Sequence, residues 1–326
     1  MARIKVGFDI GGSSMKAAVV QGGGLRVETV RLPEKLMDEN GITMPNAFSQ
    51  FLKQTVKELR LPHGPAALAL PASQVICRLV SMPEMNQEQL MMNLPYEFAD
   101  FIQGAPDQYF CDYALCGKVP GDEEGTMPMM AAVASKRQLE QYIRMFARAG
   151  VRLKKLVPQE MALIELCRAQ AGGEGPGEYC FVDLGHQQTR ITVVVGDRVQ
   201  ATRRLNFGGR DMDLAIAEEL GVDAFLAGTY KMGGQQSALA VPAVADVCER
   251  LAVEILKVVN FYQFTYRSSN LAGVYLVGGG AALEPLRQAI ENTAGLPLLE
   301  PGELLKAASG SAADGLFAAG AAMGGG

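Results

Sequence analysis

VGFDIGGSSMKAAVVQGG, residues 6–23, runs up an apolar strand to an acid, Asp9, turns through Gly11-Gly12-Ser13-Ser14, and returns through Lys16 into a second apolar run. The two commonest glycine-rich phosphate loops lead into a helix whose N-terminus faces the anion. Here Ala17-Ala18-Val19-Val20, followed by glycines at 22–24, reads instead as the second arm of a hairpin. FVDLGHQQTRITVVVGDRV, residues 181–199, can be laid on the opening stretch without a gap. Asp9 then meets Asp183, Gly11 meets Gly185, Lys16 meets Arg190 and Gly22 meets Gly196. Each copy reads strand, acid, tight turn, strand, tight turn, strand, and then helix-patterned sequence. Two unrelated meanders would not both place the only charged residue of the first strand at its end.

Two such halves predict a cleft into which both Asp-Gly turns point, with a ligand held between them. Turn N–H groups at Gly11, Gly12, Ser13, Ser14 and Gly185 suit phosphate oxygens. The carboxylates of Asp9 and Asp183 cannot bind phosphate directly, but they suit a hydrated Mg²⁺ that bridges phosphates. Lys16 supplies a positive point charge. A third glycine run, VYLVGGGAAL at 274–283, follows a strand and precedes the helix-like LEPLRQAIENTAG. Its glycines, Gly278, Gly279 and Gly280, permit close approach of a flat ligand.

Composition narrows the alternatives. At 326 residues about two domains are expected, with ample core. Apolar residues make up 48% of the chain, yet the apolar runs are strand-length, well short of the roughly 20 residues that cross a bilayer. A net charge of −5 without a dense Lys/Arg block argues against nucleic acid as a partner. The sequence enters its first strand at Ile4 with no room for a signal peptide, which predicts a cytoplasmic protein. Six scattered cysteines and two histidines, His63 and His186, leave little for zinc sites or Ser-His triads.

With these pieces in place the chain resembles the actin-like ATPase superfamily. DIGGSSMK, DLGHQQT and LVGGGAAL match its two phosphate loops and its adenosine loop in type and order, and PQEMALIELCRAQ and AADGLFAAGAAM are candidates for its two connecting helices. The expected fold is α/β, two duplicated domains around a nucleotide cleft with an FtsA-type small α/β insertion. The expected division is 1–76 for the first part of domain one, 77–154 for the insertion, 155–178 for the connecting helix, 179–311 for domain two and 312–326 for the C-terminal connecting helix. The insertion is read as strand 74–81, helix 87–102, strand 109–115, strand 129–134 and helix 137–149. LPASQVICRLVSMPEMNQEQL, PYEFADFI, AVASKRQLEQYIRMFARAGV and RRLNFGGRDMDLAIAEELG are similar to the PilM family of type IV pilus assembly proteins, itself similar to FtsA. The C-terminal AAGAAMGGG lacks the cationic face of FtsA's membrane helix, which favours the pilus family.

The resemblance implies ATP and Mg²⁺ as ligands and at most slow hydrolysis. It implies Asp183 and Asp9 as the residues around the metal and its waters, with Gln159 or Glu160 as a water-positioning residue on the first connecting helix. Thr189 and Gln187 are expected to line the second turn, Gly208 and Gly209 to make a strand-to-helix turn capped by Arg210-Asp211, and Glu249 or Lys257 to reach the ribose. The implied partner is the cytoplasmic N-terminal peptide of a PilN-like inner-membrane protein, alongside other proteins of the pilus assembly platform, so that the chain reaches the inner membrane only through a partner. The insertion, with Leu79, Met82, Tyr96, Phe98 and Tyr113, is the expected docking region. A small-molecule kinase and an FtsA-like filament protein are the rival readings.

Overall fold

The structure is a computed structural model describing residues 4–21, 24–33, 35–38, 41–119, 121–170, 177–233, 236–267, 269–305, 308–309 and 315–323. Two compact units result, one of residues 1–177, 194–200 and 304–326 and one of residues 178–193 and 201–303. The expected glycines at 22–23 and the outer parts of the expected C-terminal helix, 312–314 and 324–326, lie outside the described residues.

The first unit is built on a six-stranded sheet. Val6–Ile10 is buried along its whole length because it is central, paired antiparallel with Ser14–Gln21 and parallel with Pro65–Leu70. The antiparallel register sets Asp9 opposite Lys16, so the hairpin itself places acid and base side by side. Pro45–Glu58 starts a helix with Pro in its first turn and buries Phe48 and Leu52 one turn apart. Phe8, Phe48 and Phe146 meet in its core, the Phe8 and Phe146 rings edge to face at 5.3 Å.

Small residues explain the two connecting helices, Gln159–Gln170 and Leu316–Met323. A Cβ on Gly320 would sit 2.1 Å from the Ala162 carbonyl oxygen, and one on Gly7 would sit 1.9 Å from that of Ala318. Backbone therefore packs on backbone at two successive contacts, which only glycine permits.

The expected insertion, 77–154, does not form one body. Its separate part is the antiparallel sheet Val75–Pro83, Thr126–Ser135 and Tyr109–Leu115, covered by a short helix, Gln87–Asn93. The helix Lys136–Arg148 instead gives Tyr142, Met145 and Phe146 to the first sheet's core, and Arg152–Pro158 is a strand of that sheet. The single helix expected over 87–102 is also divided: Pro95 lacks an N–H and clashes with the carbonyl four residues back, and Leu94–Phe98 continues as 3₁₀ helix. Met82 and Phe98, expected to line a peptide groove, are instead buried in the small sheet's own core with Leu90, Leu94 and Met129. Tyr113 and Leu79 are half-buried and Tyr96 is 74% exposed.

Also within the first unit, Arg198 is buried and pairs with Asp122 at 3.0 Å, while Asp197 Oδ2 accepts from the Gly117 N–H at 2.7 Å. Ala308–Ser309 pairs parallel with Leu25 and Arg26, which draws the chain after 303 into this unit rather than leaving it in the second domain to residue 311.

The second unit carries most of a five-stranded sheet, residues 194–200 of its first two strands excepted, in the order Arg198–Leu205, Thr189–Val195, Glu178–Leu184, Val274–Val277, Leu298–Leu299. Its long helix, Pro242–Thr265, starts with Pro in its first turn and buries Val244, Val247, Cys248, Leu251, Ile255 and Val259 at helical spacing. Tyr262 donates to Glu178 at 2.5 Å and ties the end of that helix to the first strand.

Candidate functional site

In the first unit a tight turn and a cluster of buried polar groups coincide. The Gly11 N–H donates to the Ser14 carbonyl at 2.9 Å and closes the turn. Behind it Asp9, Lys16 and Gln159 are all buried. Lys16 Nζ lies 4.0 Å from Asp9 Oδ2 and 3.3 Å from where a Cβ on Gly11 would stand, so the ammonium is tucked under the turn. Gln159 Nε2 donates to Asp9 Oδ1 at 2.8 Å. The amide of Gln159 thus holds the Asp9 carboxylate in place. Burial pushes the Tyr142 hydroxyl up to about 12; a hydrogen bond with Gln74 opposes the shift, and the charge of Asp9 adds to it. Glu160 is buried next to Gln159 on the same helix.

The second unit repeats the turn 174 residues on. The Gly185 N–H donates to the Gln188 carbonyl at 3.1 Å, and Arg190 lies 3.4 Å from Asp183. Gly208 and Gly209 then pack on this turn. A Cβ on Gly208 would stand 2.6 Å from the Gly185 oxygen, the Gly209 N–H donates to that oxygen at 3.0 Å, and the Arg210 N–H donates to His186 O at 2.7 Å. Asp211 Oδ2 accepts from the Gly208 N–H at 2.8 Å and caps the helix Gly209–Leu220. Thr189 is fully buried and its hydroxyl donates to the Phe207 carbonyl at 2.9 Å, so it fastens the turn rather than lining it.

The third glycine run divides by role. Gly278 has φ +83°, and its absent Cβ would lie 2.6 Å from Asp183 Oδ1; a Cβ on Gly280 would lie 2.8 Å from the Leu184 Cβ. These two glycines let the run pack on the end of the strand carrying Asp183. Gly279 alone faces open space. Glu249 is exposed on the long helix, and Lys257 pairs with Glu254 at 2.6 Å on that same surface.

The sequence reading passed over a further cluster. Lys231 is buried, with Nζ 2.6 Å from Asp213 Oδ1 and donating to Gly209 O at 2.6 Å, while Asp213 Oδ2 lies 3.6 Å from His186 Nδ1. Eighteen residues separate Asp213 from Lys231 in the chain, so no local pattern announces the pair. The repeat did hold a clue, since its register sets His186 against Gly12.

A sheet with an acid-and-glycine turn in each unit, and a pair of small-residue helices in the first, are features of the actin-like ATPase fold. The sequence model of the family described as "Type IV pilus assembly protein PilM" matches residues 7–319. The chain belongs to that family. Among solved structures, one titled as the PilM-PilN type IV pilus biogenesis complex aligns with a TM-score of 0.82 at 23% identity, covering 98% of this chain and 97% of that one. The ethanolamine utilization protein EutJ from Carboxydothermus hydrogenoformans aligns at 0.60 and 19% identity, over 98% of this chain and 89% of its own. At such identities the likeness is one of fold. Among the described residues no helix is long and apolar enough to cross a membrane.

Proposed function

We propose that the chain is the ATP-binding member of a pilus assembly platform and docks the N-terminal peptide of a PilN-like protein at the cytoplasmic face of the inner membrane. The observation that carries the nucleotide part is the duplicated turn, closed by the same hydrogen bond in both units and backed each time by an acid and a base. The Gly11 and Gly185 N–H groups, expected to serve phosphate, are used up in closing the two turns; in this reading the N–H groups of Gly12 and Ser13, with Lys16, hold phosphates, and Gly279 leaves room for the flat base.

The carboxylates fit Mg²⁺ in a limited way. Asp9 and Asp183 are hard oxygen donors, but no group of three or more His, Cys, Asp or Glu side chains suited to a metal stands together among the described residues. Such donors match an ion that keeps its waters and leans on phosphate, which is the habit of Mg²⁺ rather than of a protein-caged metal. Its charge would offset that of the phosphates. Gln159 orients Asp9 through its 2.8 Å hydrogen bond. The partner assignment draws on family membership and on the fold shared with a chain of the structure titled as the PilM-PilN complex.

Thermal unfolding tests the nucleotide part. ATP with Mg²⁺ is expected to raise the Tm of the parent, because a ligand that binds only the folded state stabilises it. Asp9→Ala or Lys16→Ala should remove that rise while each variant still unfolds cooperatively. A variant that responds to ATP as the parent does would refute the phosphate assignment. For the partner, a synthetic N-terminal PilN peptide should be captured by the full chain in a titration, and brisk phosphorylation of a metabolite with no peptide capture would overturn this reading.

A further inference from the structure

Only the second turn carries a titratable side chain at its tip. His186 occupies the position that Gly12 holds in the first turn, and its side chain remains 41% exposed while its partner Asp213 is buried. The ring is flanked by charge from two helices: Arg210, Asp211 and Asp213 on Gly209–Leu220, and Lys231 on Ala224–Met232. Lys231 is ion-paired to Asp213 and also donates to Gly209 O, so the carboxylate is neutralised and fixed at one edge of the imidazole. At 3.6 Å the Nδ1–Oδ2 approach is a charge contact rather than a hydrogen bond, and it favours the imidazolium.

We propose that His186 is a titrating phosphate donor of the second turn: protonated, it binds a phosphate group of the ligand, with Asp213 as its positioning residue. The inference rests on the nucleotide reading above and adds a pH dependence to it. Burial lowers the pKa of the ring from its ordinary 6.5, Asp213 raises it, Lys231 and Arg210 lower it, and Asp211 raises it. The ring is therefore mostly neutral at neutral pH in the free protein. An anion beside it stabilises the charged form and raises the pKa, so binding takes up a proton. By linkage, affinity is highest below the free-protein pKa and falls as pH rises toward the pKa of the complex. A neutral imidazole has only one N–H, whereas the imidazolium has one on each nitrogen, so the Nδ1 edge can face the Asp213 charge while the other nitrogen donates to the phosphate.

The experiment compares the parent with His186→Gln, using ADP with Mg²⁺ and inorganic pyrophosphate as separate probes, at about pH 6 and about pH 8. Titration of the probe itself acts on both proteins and cancels. Parent affinity is expected to fall by up to about tenfold more than that of the variant over this range, the most a one-unit pKa rise can give. Because the chain has two histidines, proton NMR of the imidazoles can assign His186 by its loss in the variant; pyrophosphate should then raise the pKa of that resonance and leave that of His63 in place. Should His186→Gln fail to fold, the NMR titration of the parent stands alone, with His63→Gln supplying the assignment. Parallel pH profiles, or a His186 pKa indifferent to pyrophosphate, overturn the inference and leave the nucleotide reading intact. A parent that binds neither probe at either pH overturns both.

Discussion

The turn Gly11–Ser14 and the turn Gly185–Gln188 are closed by one and the same hydrogen bond, at 2.9 and 3.1 Å, and each is backed by an acid and a base on adjacent strands. They differ in what surrounds them. Behind the first turn is a buried set of groups, with the Asp9 side chain 5% exposed and held by Gln159, and Gly12 facing open space. The second is clasped by the backbone of Gly208 and Gly209, its Asp183 is 23% exposed, and it carries His186. Duplication kept the frame because the strand register dictates it. Divergence shows at the tip, where the first turn has Gly12 and the second has the titratable His186.

Removing the clasp should have the largest effect. Gly208→Val puts side-chain atoms against the Gly185 and His186 carbonyls, already 2.6 and 2.8 Å from a bare Cβ. Gly208 sits at φ −167°, extended backbone open to any residue, so the loss comes from collision alone. A cost of about 4 kcal/mol is expected in denaturant unfolding. A variant as stable as the parent would mean that the second turn is not clasped in this way.

Next in size is the buried pair of the first turn. Lys16→Met takes the ammonium from beside the buried Asp9, and about 3 kcal/mol should be lost, because removing one partner of a buried ion pair is expensive. If Asp9→Asn is combined with Lys16→Met and recovers part of that loss, the pair acts as a unit; strictly additive losses would deny it. Smaller again is Thr189→Val, which strands the Phe207 carbonyl and should cost about 1–2 kcal/mol while leaving the nucleotide-induced Tm rise in place. A lost Tm rise would return the hydroxyl to the ligand.

Much of this contrast could be read from the residues. The gapless overlay of 6–23 on 181–199 anticipates a common turn hydrogen bond, since backbone geometry follows from the glycine and the strand arms. Pro95 was also visible, and it ends the helix expected over 87–102 through its missing N–H. Other features depend on packing that no local pattern encodes. The amphipathic face of Lys136–Arg148 says that it must be buried, but not which sheet will bury it, and Met82 and Phe98 look alike as core and as groove until the short helix closes over them. The Asp213–Lys231 pair joins two helices and is invisible to any window shorter than their separation.

Gly12→Ala should have the smallest effect on stability and the most telling effect on function. A Cβ there meets nothing within 4 Å, and Gly12 is not among the residues with positive φ, so the free protein should change by no more than about 0.5 kcal/mol. If phosphate approaches the backbone of the first turn, however, the added methyl stands where the ligand must come. The Tm rise with ATP and Mg²⁺ should then shrink in Gly12→Ala while unfolding without ligand stays as in the parent. The second turn gives the counterpart, because it already carries a side chain at this position: His186→Ala should leave binding at about pH 8, where the ring is neutral, close to that of the parent. A Gly12→Ala protein that binds ATP normally would show that phosphate does not come near the backbone at Gly12, and would shift the recognition onto Lys16 and the second turn.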